Sequence, residues 1–581
     1  MVSSITLGNF GTQNGKTVVT GGSSGGIDTQ GLIDGLSEAK RLPAVQLEAR
    51  IKQNATLSTA YGEMQTILNR FKDAANFLRN PPGVQNATSN IFEYRNAQVS
   101  NNGATAGSGY LSVTATPGAA VSSYDITVDQ LATYNVKVTE SIFAADADAT
   151  VVGAASTITP TTITIGAAAV NVDLAEGDSL NQIAAKINAV KNQTKVTATV
   201  VKVADGEFRL SFKTMETGAA YNYANPVFDL NFVTETDAVD AQMTIDGTTI
   251  TRSKNSISDV VDGLTFNLLN ATPPADTLTV GLEADTSLVK DAIFNFVDAY
   301  NEFRIFAAKQ METGNNGAPL ESAVLSSSST LRSVVSRVNS EIAQVVNGIL
   351  AGNPDRLADI GITFNDFPGD ADTPLVRNVL NIDEAKLESA LKANFEQVRS
   401  IFEFDFTTTD PNLTVFSRTN SLAVSSILLN IDQTNGIYEA TYDDGSGPVT
   451  IQLDGEAMSG VDGVVLRGRA GTVLEGLVLL YADGDDATVT LNMTQGVADR
   501  VFNTLEDVVK SGTGVLATEL KNITDTNTRL QTEIDRIDQR IIEYRDRLLR
   551  QFSALEQAIS QANILLQSLA AQTNAQLAAS G

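Results

Sequence analysis

The sequence predicts an α+β multi-domain chain in which a terminal antiparallel coiled-coil or helical stalk carries nested β-rich domains inserted between helical segments. Three observations predict it. Apolar residues recur at alternating four- and three-residue steps near both ends. Short β-branched runs broken by Asp-Gly turns fill the middle. Helical spacing returns between those runs, near 286–350. With 581 residues and a prior of roughly 150 residues per domain, the chain has material for about four cores.

Residues 1–36 are expected to form a flexible N-terminal leg segment. Positions 1–27 carry one charge, Lys16, are rich in Gly, Ser, Thr and Asn, and lack the apolar run of a cleavable secretory signal. A stalk helix follows over 37–90, where Leu57, Tyr61, Met64, Leu68, Phe71, Ala75 and Leu78 share one face until Pro81-Pro82 stops it. Residues 91–285 are expected to be β-rich inserted domains. Val196–Val203 turns through Asp205-Gly206 into Phe208–Phe212, and Met243–Ile245 turns through Asp246-Gly247 into Thr248–Thr251, two hairpin signals. A helix-hairpin module near 179–218 has Leu180, Ile183, Ala184 and Ile187 on one helical face.

Residues 286–405 form a helical stalk domain with a small α/β part. Leu288, Ala292, Phe296, Ala299, Phe303 and Phe306 recur at helical spacing, and a second helix is expected over Ser329–Leu350. An additional β-rich module spans 406–498, a C-terminal stalk coiled coil 499–550, and a C-terminal leg helix 551–581. The last two share an apolar series: Leu516, Leu520, Ile523, Asn527, Leu530, Ile534, Ile537, Ile541, Tyr544, Leu548, then, after a four-residue stutter, Phe552, Leu555, Ile559, Ala562, Leu566 and Leu569. Half the residues of 529–550 are charged, whereas 551–581 carry only Glu556. Two long heptad series at opposite ends are expected to pair as an antiparallel bundle, with two separate amphipathic helices as the competing arrangement. Leu57, Tyr61, Met64, Leu68 and Phe71, with Leu530, Ile534, Ile537, Ile541 and Leu548, are then the stalk and oligomer interface.

Composition narrows function. With 40 Lys+Arg against 68 Asp+Glu the formal net charge is −28, which argues against a nucleic-acid partner. His, Cys and Trp are absent, which removes thiolate nucleophiles, disulfides, the Ser-His-Asp arrangement and His- or Cys-based metal centres. No stretch approaches a membrane-spanning apolar run, so no membrane insertion is expected. Asp483-Gly484-Asp485-Asp486 lacks the alternate ligands and distal Glu of a calcium loop and reads as a hairpin turn. Gly468, Gly471 and Gly476 are not followed by Gly-Lys-Ser/Thr and read as tight turns. No catalytic, cofactor-binding or metal residue is expected. The chain is read as a structural or binding protein and not an enzyme.

Six stretches resemble one family, in order along the chain. They are Gly26–Pro43, Tyr124–Ala132, Ser179–Gly218, Ile245–Gly247 with Asn255–Phe266, Phe296–Asn301 and Arg547–Gln557, and they are similar to motifs of the bacterial flagellar filament cap protein family, flagellar hook-associated protein 2. The resemblance implies a homo-oligomer, commonly a pentamer, at the distal tip of the flagellum. It is exported without a cleaved signal peptide and is extracellular. Implied partners are flagellin, a hook–filament junction protein and a cytosolic export chaperone. Phe552, Leu555, Ile559, Leu566 and Leu569 would form the filament-contacting leg. The 406–498 module departs from the shortest members, and a surface adhesin binding host glycan or protein through the β-rich modules is the alternative.

Overall fold

The computed structural model describes residues 9–13, 16–20, 29–81 and 90–579, apart from 154–155, 157, 228, 315, 370–372, 420–421 and 461. Gly26–Asp28 of the first resembling stretch and Pro82 therefore lie outside the described residues. The helices used below are α1 (Thr29–Leu78), α2 (Leu180–Ala189), α3 (Thr286–Gln310), α4 (Ser329–Ala343), α5 (Glu384–Ala393), α6 (Phe395–Phe402), α7 (Val497–Val509) and α8 (Val515–Ala579).

Two expected boundaries need correction at the N-terminal end. Part of the 1–36 segment is regular: Asn9–Gln13 and Lys16–Thr20 pair antiparallel, and α1 begins at Thr29. Its first turns escape an apolar pattern because Lys40, Arg41 and Ala44 occupy positions on the side that meets α8. Pro43 sits inside α1, where it removes one backbone hydrogen bond at a cost of ~3 kcal/mol in a helix interior. The helix stops at Leu78 and not near 90, because Pro81 bars the α region for the residue before it.

The helical head has one core. The C-terminal half of α1 contributes Met64, Leu68, Phe71 and Ala75. They pack with Phe296, Tyr300 and Phe303 of α3, Leu331 and Val334 of α4, Val501 and Leu505 of α7, and Leu516 of α8. The Phe71 ring lies 5.2 Å from Phe296 and 5.9 Å from Tyr300. Each such large side chain contributes roughly 1.5–3 kcal/mol by leaving water. Asp285 caps α3 by accepting from the Ser287 and Leu288 amides, and Ser328 caps α4 by accepting from Leu331. Helix α4 ends at Ala343, short of the expected Leu350. The chain turns at Gly348, where φ is 90° and a Cβ would stand 2.6 Å from the Met493 carbonyl oxygen.

Three β-rich bodies are attached to this head. The first has the strand order 248–252, 241–245, 122–130, 278–284, 95–101, beside a three-stranded sheet 256–257, 264–268, 111–115, and closes over Ile126, Val128, Met243, Phe266 and Val280. The second is inserted between its strands 122–130 and 241–245. It has the order 196–204, 207–214, 136–139, 232–236, a hairpin 161–165/170–174, and α2, started by a capping box of Ser179 and Gln182. Leu180, Ile183 and Ile187 of α2 pack on Ile163, Leu210 and Phe212.

The third body, over 404–495, is an eight-stranded sheet in the order 404–408, 487–495, 426–432, 437–443, 448–457, 464–468, 477–481, 413–418. Its two end strands are neighbours in sequence, so the sheet curls around a single core that includes Leu429, Leu466, Leu479 and Leu491. Asp483–Asp486 consequently does not close a hairpin. It carries the chain from strand 477–481, beside 413–418, to strand 487–495, between 404–408 and 426–432. Turn chemistry marks a reversal but not which strand comes next. Its carboxylates are spent locally: Asp483 accepts from the Asn412 amide at 3.0 Å, and Asp486 from the Thr434 hydroxyl at 2.9 Å. Among the described residues no His/Cys/Asp/Glu group could hold a metal ion, and no helix is long and apolar enough to cross a membrane.

Head and β bodies meet at buried polar side chains. Glu403, at the end of α6, accepts from Arg399 Nε at 2.6 Å and from the Asn90 amide; Arg399 also reaches Glu93. Burial outweighs these partners and pushes the Glu403 carboxyl from 4.5 up to about 7. The folded chain therefore holds a proton there that the unfolded chain has already released. Stability should fall as pH rises from 4.5 through 7 and stay flat above. Thermal melts between pH 5 and 8 are expected to show this slope in the native chain and to lose it in Glu403→Gln; an unchanged slope in the variant would assign it to other groups.

Candidate docking interface: the stalk and its foot

Helices α1 and α8 run antiparallel, and their polar contacts record the register. Asn54 Nδ2 donates to Asn527 Oδ1 at 2.8 Å, Arg41 donates to both Asp538 oxygens at 2.9 and 3.2 Å, Arg545 donates to Asp34 at 2.8 Å, and the Thr29 hydroxyl to Glu556 at 3.3 Å. The Lys40 ammonium lies 4.9 Å from the centre of the Tyr544 ring. Between these pairs runs a thin apolar seam of Ala44, Ile534 and Ile537, flanked by Leu47, Ile51 and Ile541. Asp538 and Glu48 together hold the Arg41 guanidinium well above its ordinary pKa. An amide pair in a coiled-coil seam fixes register, since any slip leaves both amides against apolar neighbours.

The structure divides the ten expected stalk residues into two groups. Leu530, Ile534 and Ile537 are buried, and Ile541 and Leu548 are half-buried along the stalk. Leu57, Tyr61, Met64, Leu68 and Phe71 do not face them. Tyr61 donates or accepts with Ser328 at 2.8 Å, and Met64, Leu68 and Phe71 are 0% exposed inside the head. Met64, Leu68 and Phe71 are intramolecular core positions, and Leu57 is half-buried against the same core. Heptad spacing identified the apolar face of α1 but not its neighbour. The residues of α1 that meet α8 in the stalk lie earlier, at Arg41, Ala44, Leu47, Ile51 and Asn54. Three of these five, Arg41, Ala44 and Asn54, are polar or small, which is why periodicity passed them over.

Of the expected leg residues, Phe552 and Leu555 lie alongside the first turns of α1, and Ile559, Leu566 and Leu569 lie beyond its start. Phe552 is half-buried, whereas Leu555 is 47%, Ile559 42%, Leu566 63% and Leu569 53% exposed. Ile564 and Leu565, not singled out by the heptad series, are exposed as well. Thr29 stands opposite Glu556, so the described part of α1 ends there while α8 continues to Ala579. The apolar stripe that pairs in the stalk thus runs on, without a described partner and without a charge, for about four further turns.

Comparison with known proteins gives this arrangement a setting. Residues 25–135 match the model of the flagellar hook-associated protein 2 N-terminus, and 238–564 match that of its C-terminus. The chain belongs to the flagellar hook-associated protein 2 family. Residues 157–214, the α2 unit with its hairpins, match the flagellin hook IN motif. The A-type flagellar hook-associated protein 2 of Pseudomonas aeruginosa is 26% identical over 441 residues, covering 70% of this chain and 85% of that relative. The B-type protein of P. aeruginosa PAO1 is 28% identical over 396 residues, covering 62% and 77%. Among solved structures, the D1-D2-D3 domains of the flagellar cap protein FliD from Escherichia coli align at 23% identity with a TM-score of 0.41, over 59% of this chain and 89% of that one. The two matched blocks together hold the first β body, the C-terminal one also holds the 404–495 body, and the C-terminal match ends within α8, at the exposed stripe.

Proposed function

We propose that this chain is a structural assembly protein that caps the distal end of a bacterial flagellar filament and promotes folding and polymerisation of exported flagellin. The observation that carries this reading is the apolar, uncharged continuation of the stalk seam past Glu556. A cap on a helical filament meets non-equivalent sites as subunits are added. Contacts without an ionic lock can be made and released at each of them, because no charge is left unpaired when they separate. The cap is a homo-oligomer, a pentamer in this reading, with the β bodies as its plate. Its partners are flagellin, the hook–filament junction protein before filament growth, and an export chaperone in the cytosol. It works outside the cell at the flagellum tip and is not a catalyst.

The adhesin alternative has no support in the comparisons, since the relatives described above are hook-associated protein 2 chains. A strain lacking the gene is expected to assemble hooks and spill flagellin into the medium. Normal filaments in that strain would refute the capping role.

A further inference from the structure

We propose that Arg418 and Asp499 form a buried ionic latch that makes the 404–495 module a rigid extension of α1, so that displacement of the stalk is transmitted to the module.

The module hangs from the head by two adjacent crossings, Glu403–Phe404 and Gln495–Gly496, joined by the Gly496 amide donating to the Glu403 carbonyl at 2.7 Å. The apolar cores on either side are separate clusters, and the head loop at Gly348 stands against Met493 and Ser425 of the module. Two neighbouring crossings alone make a hinge. What closes it is polar. Arg418, at the end of strand 413–418, donates to both Asp499 oxygens at 3.0 and 2.8 Å, and its Nη2 also donates to the Asn80 carbonyl at 2.6 Å. Asn80 in turn donates to the Phe404 carbonyl at 3.0 Å. The Arg418 guanidinium lies 3.8 Å from the centre of the Phe404 ring.

Asp499, on α7, is 0% exposed and gathers the other side chains of the joint. It accepts from Gln495 at 2.8 Å and Asn503 at 3.3 Å, and Arg79 stands 3.7 Å away, its guanidinium 3.4 Å from the centre of the Phe502 ring. The neighbouring Arg500 ties α4 to the same point by donating to the Glu341 and Gln344 carbonyls at 3.0 and 3.1 Å. A buried ion pair adds little net stability over apolar side chains of the same size, but it tolerates one geometry only. Asn80 lies two residues past the end of α1, a continuous helix of 50 residues and about 75 Å whose first residue stands beside the foot. The latch therefore clamps the module to the far end of the stalk.

Its use in capping rests on the stalk being a foot. The latch itself does not, because it is tested on the isolated full-length subunit. The chain has no cysteine, so Glu63→Cys on the exposed face of α1 and Ser446→Cys at a module turn accept spin labels cleanly. Dipolar electron resonance should give one narrow distance. Arg418→Gln, and independently the near-isosteric Asp499→Asn, should broaden it about twofold while far-ultraviolet circular dichroism is unchanged, as freed domains reorient. A broad distribution in the unmutated chain, an unchanged narrow one in both variants, or loss of fold in both would overturn the latch. Loss of tip retention with a normal distance distribution would instead concern the foot.

Discussion

Replacing Leu566 and Leu569 with Asp is expected to leave the subunit folded and soluble and to abolish its retention on filament tips. Both side chains are more than half exposed in the isolated chain, so the substitution removes no core packing, and stability should stay within about 0.5 kcal/mol. The cost appears on docking. A carboxylate carried into an apolar contact without a partner costs several kcal/mol, and each ~1.4 kcal/mol is a tenfold loss of affinity. Two such changes should therefore shorten dwell on the tip by at least about 100-fold. Truncation after Leu548 removes the whole stripe and should give the same phenotype. Fluorescently tagged protein added to capless filaments would measure it. Retained capping by either variant would mean that the exposed stripe is not the docking surface.

Where the sequence was informative, a local rule carried the information. The hairpin at Asp246-Gly247 was legible because both residues adopt positive φ, 47° and 80°, which few other residue pairs tolerate. The α8 stripe was legible because its contacts are aliphatic over most of its length. The matching half of the stalk was not. Arg41, Ala44 and Asn54 do in α1 what leucines do elsewhere, through a two-pronged carboxylate bond, a close approach and an amide pair. The order of the eight strands was hidden for another reason. Strand 413–418 pairs with 477–481 across the whole module, a choice set by closure of the sheet and not by its turns. Arg418 and Asp499 are separated by 81 positions and carry no spacing signal; only burial of both reveals them.

Phe71→Ala is expected to have the largest effect on stability, about 3–5 kcal/mol, because it opens a cavity where three aromatic rings now meet. Phe77 lies six residues further along the same helix and is 60% exposed, so Phe77→Ala should change stability by no more than about 0.5 kcal/mol. The loss should also be confined. The 404–495 module has its own core, so amide exchange should quicken in α3, α4 and α7 while strands 426–432 and 487–495 keep their protection. Orientation and stability would then be separable properties of one joint, the first set by Arg418 and Asp499 and the second by each body's interior. Equal loss of protection in the module would show instead that the polar joint couples the two cores in folding, and the head could no longer be treated as an independent unit.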